Sequence, residues 1–286
     1  MNAATYKKDI TIGNDLTVHR LGFGAMRITG NGVWGPPADK NEALNVLKRA
    51  VELGVNFIDT ADSYGPHVSE ELIAEALHPY PAGLVIATKG GLERSGPNIW
   101  TSNADPAYLQ KCLEGSLKRL KLDVIDLYQL HRIDSKVPAE KTFEFLQNAQ
   151  KEGKIKHIGL SEVTVEEIQH AQQFFDVVSV QNMYSFDNRK WEGVLKFCKQ
   201  QKIAFIPWYP VNAGNAEKLK TLTDIANHHH ATTHQVALSW LLHHADNIIL
   251  IPGTSKLNHL EENMKSGDIQ LTEDELQELG SITVAI

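Results

Sequence analysis

Short aliphatic runs alternate with amphipathic stretches of helical period along most of this chain, and that alternation limits its fold more than any other feature. Residues 21–24, 55–58, 84–88, 124–130, 155–160, 177–181, 203–207 and 248–251 read as buried strands. A helical stretch follows each of them. The first is capped by Asp39, carries Leu44, Leu47 and Val51 at three- and four-residue spacing, and stops at Gly54. The others fall at 68–77, 106–120, 139–151, 164–174, 188–200, within 216–244, and at 256–264. Eight such pairs predict an α/β chain closed as a (β/α)8 TIM barrel. An open doubly wound sheet shares the alternation, but its nucleotide fingerprint is missing. Gly22-Phe23-Gly24-Ala25-Met26-Arg27 has only the first two glycines, and a loop follows instead of a helix.

Ile10 to Ile12 and Leu16 to Val18 flank Gly13-Asn14-Asp15, an expected hairpin that caps the bottom of the barrel. Thr272 to Glu275 is a capping box that opens one extra C-terminal helix after closure. The stretch 90–104 is expected to be a long irregular loop, the kind that carries specificity in such barrels. With 286 residues, 42% of them hydrophobic, the chain can bury a large core, so residues 1–286 read as a single domain. Cys112 and Cys198 fall in different helices and read as free thiols. A formal charge of -7 disfavours a nucleic-acid partner. No apolar run approaches bilayer length, and the first residues lack the layout of a secretory signal. These features lead to the expectation of a cytoplasmic protein with no membrane partner.

The chemistry gathers where strands run out. Phe57-Ile58-Asp59-Thr60-Ala61-Asp62-Ser63-Tyr64-Gly65 breaks from an apolar strand into an acid and a phenol. Ala87-Thr88-Lys89 delivers a lysine and Leu130-His131 a histidine at two further strand ends. In a parallel barrel those ends share one rim, so Asp59, Tyr64, Lys89 and His131 are expected to meet there. A phenol with a pKa of about 10 is a weak proton donor at neutral pH, and a neighbouring ammonium is expected to lower that value. Asp59 would keep the lysine charged and aimed, and a neutral His131 would orient a carbonyl. Position alone favours the plainer reading, a packing tyrosine beside a solvated Asp–Lys pair, and it leaves His131 open between a core-edge hydrogen bond and a functional role.

The combined motifs resemble the aldo-keto reductases. The likeness runs in order through Gly22-Phe23-Gly24, the 57–65 stretch, Ala87-Thr88-Lys89, Asp126-Leu127-Tyr128-Gln129-Leu130-His131-Arg132, Gly153 to Ser161, and Ile251-Pro252-Gly253-Thr254-Ser255. It implies a barrel that binds NADPH/NADP+ without a Rossmann fold and reduces a small-molecule aldehyde to a primary alcohol. Tyr64 would be the general acid, with Lys89 and Asp59 lowering its pKa and His131 positioning the carbonyl.

The resemblance also implies a cofactor set. Gly24 and Met26 fall on its path, Ser161 and Gln181 match the pair that holds the carboxamide, and Glu162 stands where the family usually has Asn. Trp208, in Trp208-Tyr209-Pro210-Val211, falls where the family stacks a tyrosine on the nicotinamide. Gly253, Thr254 and Lys256 resemble the grip on the adenosine 2'-phosphate, and Glu262 and Asn263 the adenine contacts; His259 replaces a frequent arginine. Trp34, Trp100 and Tyr184 are expected to form an aromatic substrate wall, although each suits packing equally well.

Whole-chain likeness extends to the family's bacterial pyridoxal reductases, which implies pyridoxal as substrate and pyridoxine as product. A broad aldehyde reductase is the first alternative. An NADPH-sensing subunit, as among potassium-channel β subunits, is the second, though no appended interaction segment suggests an obligate protein partner. His228-His229-His230, with His234, His243 and His244, reads as a polar helix region and not as a metal site, because no Cys or acid completes a ligand set at usual spacing.

Overall fold

The computed structural model describes residues 4–209 and 216–282. Pro210 and Val211, which complete the stretch begun by Trp208, lie outside the described residues. The chain opens with β1 (Asp9–Ile12) and β2 (Leu16–His19), an antiparallel hairpin in register Ile12 to Leu16. Gly13 turns it with a φ of +59°, a conformation glycine adopts without steric cost. Then come β3 (Phe23–Gly24), α1 (Lys40–Glu52), β4 (Phe57–Asp59), α2 (Val68–Leu77) and β5 (Val85–Gly90). The middle of the chain holds β6 (Leu92–Gly96), β7 (Ile99–Ser102), α3 (Pro106–Leu120), β8 (Ile125–Leu130), α4 (Ala139–Lys151) and β9 (Ile155–Ser161). It continues with α5 (Val165–Ala171), β10 (Val177–Gln181), α6 (Glu192–Gln200), β11 (Ala204–Phe205), α7 (Ala216–His228) and α8 (Thr233–His244), and ends with α9 (Leu257–Lys265) and α10 (Glu273–Ser281).

Seven parallel strands stand in the order β11-β10-β9-β8-β5-β4-β3. The expected eighth strand, 248–251, closes the (β/α)8 barrel through single bridges, Leu250 to Leu21 on one side and Ile248 to Phe205 on the other. The Leu250 amide donates to the Arg20 carbonyl at 2.7 Å and the Gly22 amide to the Leu250 carbonyl at 2.8 Å. Pro252 ends this run one residue later and has no N–H with which to extend a ladder. Arg20 is buried on the seam, donating from Nε to the Ile248 carbonyl at 2.7 Å and from a terminal nitrogen to the Leu242 carbonyl at 2.9 Å. Burial lowers its pKa to about 10, so it stays charged at neutral pH and its donors are taken by carbonyls.

The hairpin is a plug. Ile12, Leu16 and Val18 are buried against Phe57, Val85, Leu127 and Ile249 inside the barrel. Each such side chain contributes roughly 1.5–3 kcal/mol on removal from water. Helix entries follow their caps: Asp39 accepts from the Glu42 amide, Asp105 from the Ala107 amide with Pro106 next, and Thr272 and Glu275 form a reciprocal capping box that starts α10. Cys112 and Cys198 are buried free thiols. No helix among the described residues is long and apolar enough to cross a membrane.

One expectation fails here. The 90–104 stretch is not irregular, because β6 and β7 pair as an antiparallel hairpin with Glu93 opposite Thr101 and Arg94 opposite Trp100. Asn98 supplies the turn at a φ of +57°, one of the few non-glycine residues that tolerate it. Leu92 and Gly96 are buried and Arg94 is half-buried while Glu93 and Ser95 are exposed, a two-residue period that the sequence reading passed over.

Candidate active site

Parallel register brings the strand ends together. Asp59 closes β4 opposite Ala87, Lys89 lies two residues further along β5 opposite Gln129, and His131 follows β8 directly, its amide donating to the Gly90 carbonyl at 2.9 Å. Tyr64 comes back over them from the loop after β4. Lys89 Nζ donates to Asp59 Oδ1 at 2.6 Å and to the Thr60 carbonyl at 2.8 Å, and it reaches the Tyr64 hydroxyl at 3.4 Å. Asp59 Oδ2 accepts from Gln129 Nε2 and Gln181 Nε2, both at 2.9 Å. All four expected side chains are buried, and the His131 and Tyr64 rings meet edge to face at 5.9 Å.

Their ionisation follows from burial and charge. Burial by itself lowers the Lys89 pKa, but the Asp59 carboxylate and the Tyr64 oxygen outweigh it and the net direction is up. Tyr64 departs from the sequence expectation. Lys89 does pull its pKa down, yet burial dominates and Asp59 offsets part of the ammonium charge, so the phenol ends above its ordinary value. Tyr64 is therefore a firmly protonated donor at neutral pH. His131 is pushed well below the usual imidazole range by burial and by the charges of Lys89, Arg132 and Arg94, which makes it neutral.

A cavity of ≈ 660 Å³ opens above these groups. Asp59, Tyr64 and His131 line it, as do Gly24, Met26, Ser161, Gln181, Trp208, Gly253 and Trp100 from the sequence reading. Gly24 and Gly253 are close-packed: a Cβ on Gly24 would stand 2.5 Å from the Ile251 carbonyl oxygen, and one on Gly253 2.5 Å from the Gly24 carbonyl oxygen. Glycine keeps this floor flat where the two chain segments cross.

The remaining residues are placed elsewhere. Tyr184 is wholly buried, packed against Phe205 with its hydroxyl bonded to Glu192 and His244, so it is not part of the cavity wall. Trp34 does not line the cavity either; its ring lies 5.7 Å from the Arg94 guanidinium, and neighbouring Val33 takes the wall position. Lys256 stands at the start of α9 with its ammonium paired to Glu42, while Thr254 Oγ1 accepts from the Lys256 amide at 3.1 Å. Glu262 and Asn263 lie within α9, Asn263 buried and Glu262 accepting at its carbonyl from Gln235. Glu162, at a φ of +55°, turns its carboxylate to the Trp208 indole N–H at 2.7 Å and to the Met183 amide.

Three residues the sequence reading did not single out shape the site. Arg94 lies 3.5 Å over the Trp100 ring and donates to the carbonyls of Val33, Ser63 and Gly32, each at 2.9 Å. It thereby ties the β6–β7 hairpin to the loops carrying Val33 and Tyr64. Arg132 and Leu92 complete the wall. Arg132 follows His131 in one of the motifs, so adjacency was a usable signal; Arg94 had none, since the carbonyls that tie it to the site, those of Gly32, Val33 and Ser63, are remote in sequence.

The histidine tract also needs correction. Glu275 of α10 does supply an acid, bonding His228 at 2.8 Å and His229 at 2.9 Å, with the three donor groups within 4.8 Å of one another. Sequence spacing missed it because the acid arrives from a helix 46 residues away. Glu275 is also held by the Thr272 amide at 2.8 Å, so its oxygens have partners within the protein.

A closed (β/α)8 barrel whose strand ends hold an acid, a lysine, a tyrosine and a histidine defines a class. The chain belongs to the aldo/keto reductase family, whose model matches residues 20–283. It is 52% identical over 261 residues to an uncharacterized oxidoreductase of Schizosaccharomyces pombe, covering 91% of this chain and 85% of that one. It is 42% identical over 273 residues to pyridoxine 4-dehydrogenase of Escherichia coli, covering 93% and 96%. Among solved structures, the thermostable aldo-keto reductase Tm1743, crystallised with the inhibitor epalrestat, matches with a TM-score of 0.84 at 30% identity over 98% of this chain and all of the other. The protein is thus an oxidoreductase of the aldo-keto reductase type, a class that acts on small molecules.

Proposed function

We propose that this protein is a cytoplasmic, NADPH-dependent reductase that converts pyridoxal to pyridoxine, with residues 1–286 acting as one catalytic domain. The observation that carries the chemistry is the buried chain from Asp59 through Lys89 to the protonated Tyr64 hydroxyl. The substrate rests on the 42% identity with the Escherichia coli pyridoxine 4-dehydrogenase along nearly the full length of both chains.

The donor set fits a nicotinamide. Ser161 Oγ accepts from Arg132 at 2.9 Å and keeps its own proton to donate. Gln181 gives its Nε2 to Asp59, so its Oε1 is left to accept. A hydroxyl donor and an amide acceptor side by side complement a primary carboxamide. Trp208, steadied by Glu162, provides an aromatic face beside them. Gly253, Thr254 and Lys256, at the N-terminal end of α9, are the proposed seat of the 2'-phosphate, which Lys256 meets after releasing Glu42. Glu262 and Asn263 are proposed for the adenine. Bound NADPH supplies a hydride for the carbonyl carbon. Neutral His131 donates a hydrogen bond that orients the carbonyl, and Tyr64 delivers the proton as the oxygen gains charge. Lys89 then stabilises the phenolate left behind, a role its ammonium performs best in a site this dry.

The test is NADPH oxidation by the purified protein with pyridoxal and a panel of unrelated aldehydes, beside Tyr64→Phe. Pyridoxal well above the panel, with at least a hundredfold loss in Tyr64→Phe and NADPH binding retained, is the expected result. Comparable rates on every aldehyde would replace the vitamin substrate with a broad aldehyde reductase. Tight NADPH binding with negligible turnover throughout would favour a sensing subunit.

A further inference from the structure

Arg132 lines the cavity beside His131, and beyond helping to keep that imidazole neutral its charge has no role in the reaction outlined above. One of its terminal nitrogens donates to the His131 carbonyl and to Ser161 Oγ, which sets the plane of the guanidinium. Its other donors have no protein partner among the described residues. No carboxylate lies within ion-pair distance of it there either, because Glu162, the acid whose charge it feels, gives its oxygen to Trp208 and Met183. A half-buried cation without a counter-ion is costly, and a ligand anion relieves that cost.

We propose that Arg132 is a substrate-binding residue that selects aromatic aldehydes carrying an ionised oxygen on the ring carbon next to the carbonyl. The inference rests on the reading that Tyr64 and His131 take the carbonyl. In this proposal the guanidinium, which lines the same cavity one residue beyond His131, takes the substituent on the neighbouring ring carbon. Trp100, which lines the same cavity, suits a flat ring. The proposed 2'-phosphate seat at Gly253 to Lys256 is served by α9, so that phosphate does not need Arg132. A planar fork of charged donors holds an oxyanion more firmly than it holds a neutral ether of the same shape. Pyridoxal, with its ring hydroxyl beside the aldehyde, belongs to this class, and so do far simpler molecules.

The experiment compares 2-hydroxybenzaldehyde with 2-methoxybenzaldehyde and 3-hydroxybenzaldehyde, at a pH where the phenols are ionised, by product alcohol formed. Wild type is expected to favour the 2-hydroxy compound over the 2-methoxy compound by at least about tenfold in kcat/KM. Arg132→Gln is expected to bring that ratio close to one, and Arg132→Lys to an intermediate value. The ratio is taken within each variant, so a partly unfolded preparation does not alter it. An unchanged ratio in Arg132→Gln, equal preference for the 3-hydroxy isomer, or a loss confined to NADPH binding would overturn the assignment. Turnover with no preference in wild type sinks this inference alone, whereas no turnover of any aldehyde sinks the reductase reading with it.

Discussion

Asp59, at the end of β4, and Asp62, in the loop that follows, are each only 2% exposed, yet their surroundings are opposite. Asp59 faces the barrel interior and receives Lys89 at 2.6 Å and two glutamine amides at 2.9 Å. Asp62 faces outward toward α2 and α3, where its Oδ1 has no hydrogen-bond partner. Burial and the nearby Glu70 carboxylate push its pKa up to about 7, against weaker pulls from Cys112 and Arg119. Equal burial thus yields a carboxylate with three hydrogen-bonding partners on one side and one with a raised pKa on the other. Partners, more than depth, decide what burying an acid costs the fold.

The sharpest way to break this contrast is Lys89→Met. Asp59 then loses its cation, with an expected destabilisation of about 3–5 kcal/mol by denaturant titration. Turnover should fall at least a thousandfold, since the phenolate at Tyr64 loses its ammonium. Near-normal turnover would show that the lysine only supports the fold.

Asp62→Asn should act in the opposite sense. A carboxyl whose folded pKa lies above its unfolded value of about 4 binds its proton more tightly when native. The stability linked to that proton is complete below pH ~4 and is lost as pH rises through about 7. The variant should therefore match wild type near pH 4 and exceed it at pH 8 by on the order of 3 kcal/mol, with turnover retained. Equal differences at both pH values would show that Asp62 titrates normally.

The smallest effect is expected at the clasp that holds the loop just after Asp62. Arg94 donates to the Ser63 carbonyl and lies against Trp100. Arg94→Met should loosen the hairpin wall, raising KM about five- to tenfold while kcat stays within about threefold. A change in kcat alone would mean that Arg94 acts electrostatically on His131 and Tyr64 instead.

Much of this was legible in the chain. The hairpin plug, the strand and helix alternation, the caps at Asp39, Asp105 and Thr272 and the convergence of Asp59, Tyr64, Lys89 and His131 all follow from local patterns. Such patterns are written in neighbouring residues: side-chain period, turn chemistry, and the rule that parallel strand ends share a rim. The β6–β7 hairpin was legible too but was missed, because its alternation is diluted by Gly96, Pro97 and Asn98 at the turn.

Other features were settled only when the chain closed on itself. Tyr184 and Trp208 look alike in sequence, as aromatics just beyond strands, yet one is sealed under Glu192 and His244 and the other lines the cavity. The raised pKa of Tyr64 depends on how far burial outweighs an ammonium already shared with Asp59. The acid that reaches His228 and His229 comes from α10, and among the described residues Arg132 has no carboxylate within ion-pair distance, Glu162 having turned to an indole. Sequence determined which groups are present and which strand end delivers each. Desolvation and pairing depend on every atom within a few ångströms, and those atoms come from segments far apart in the chain, so only the tertiary structure could decide them.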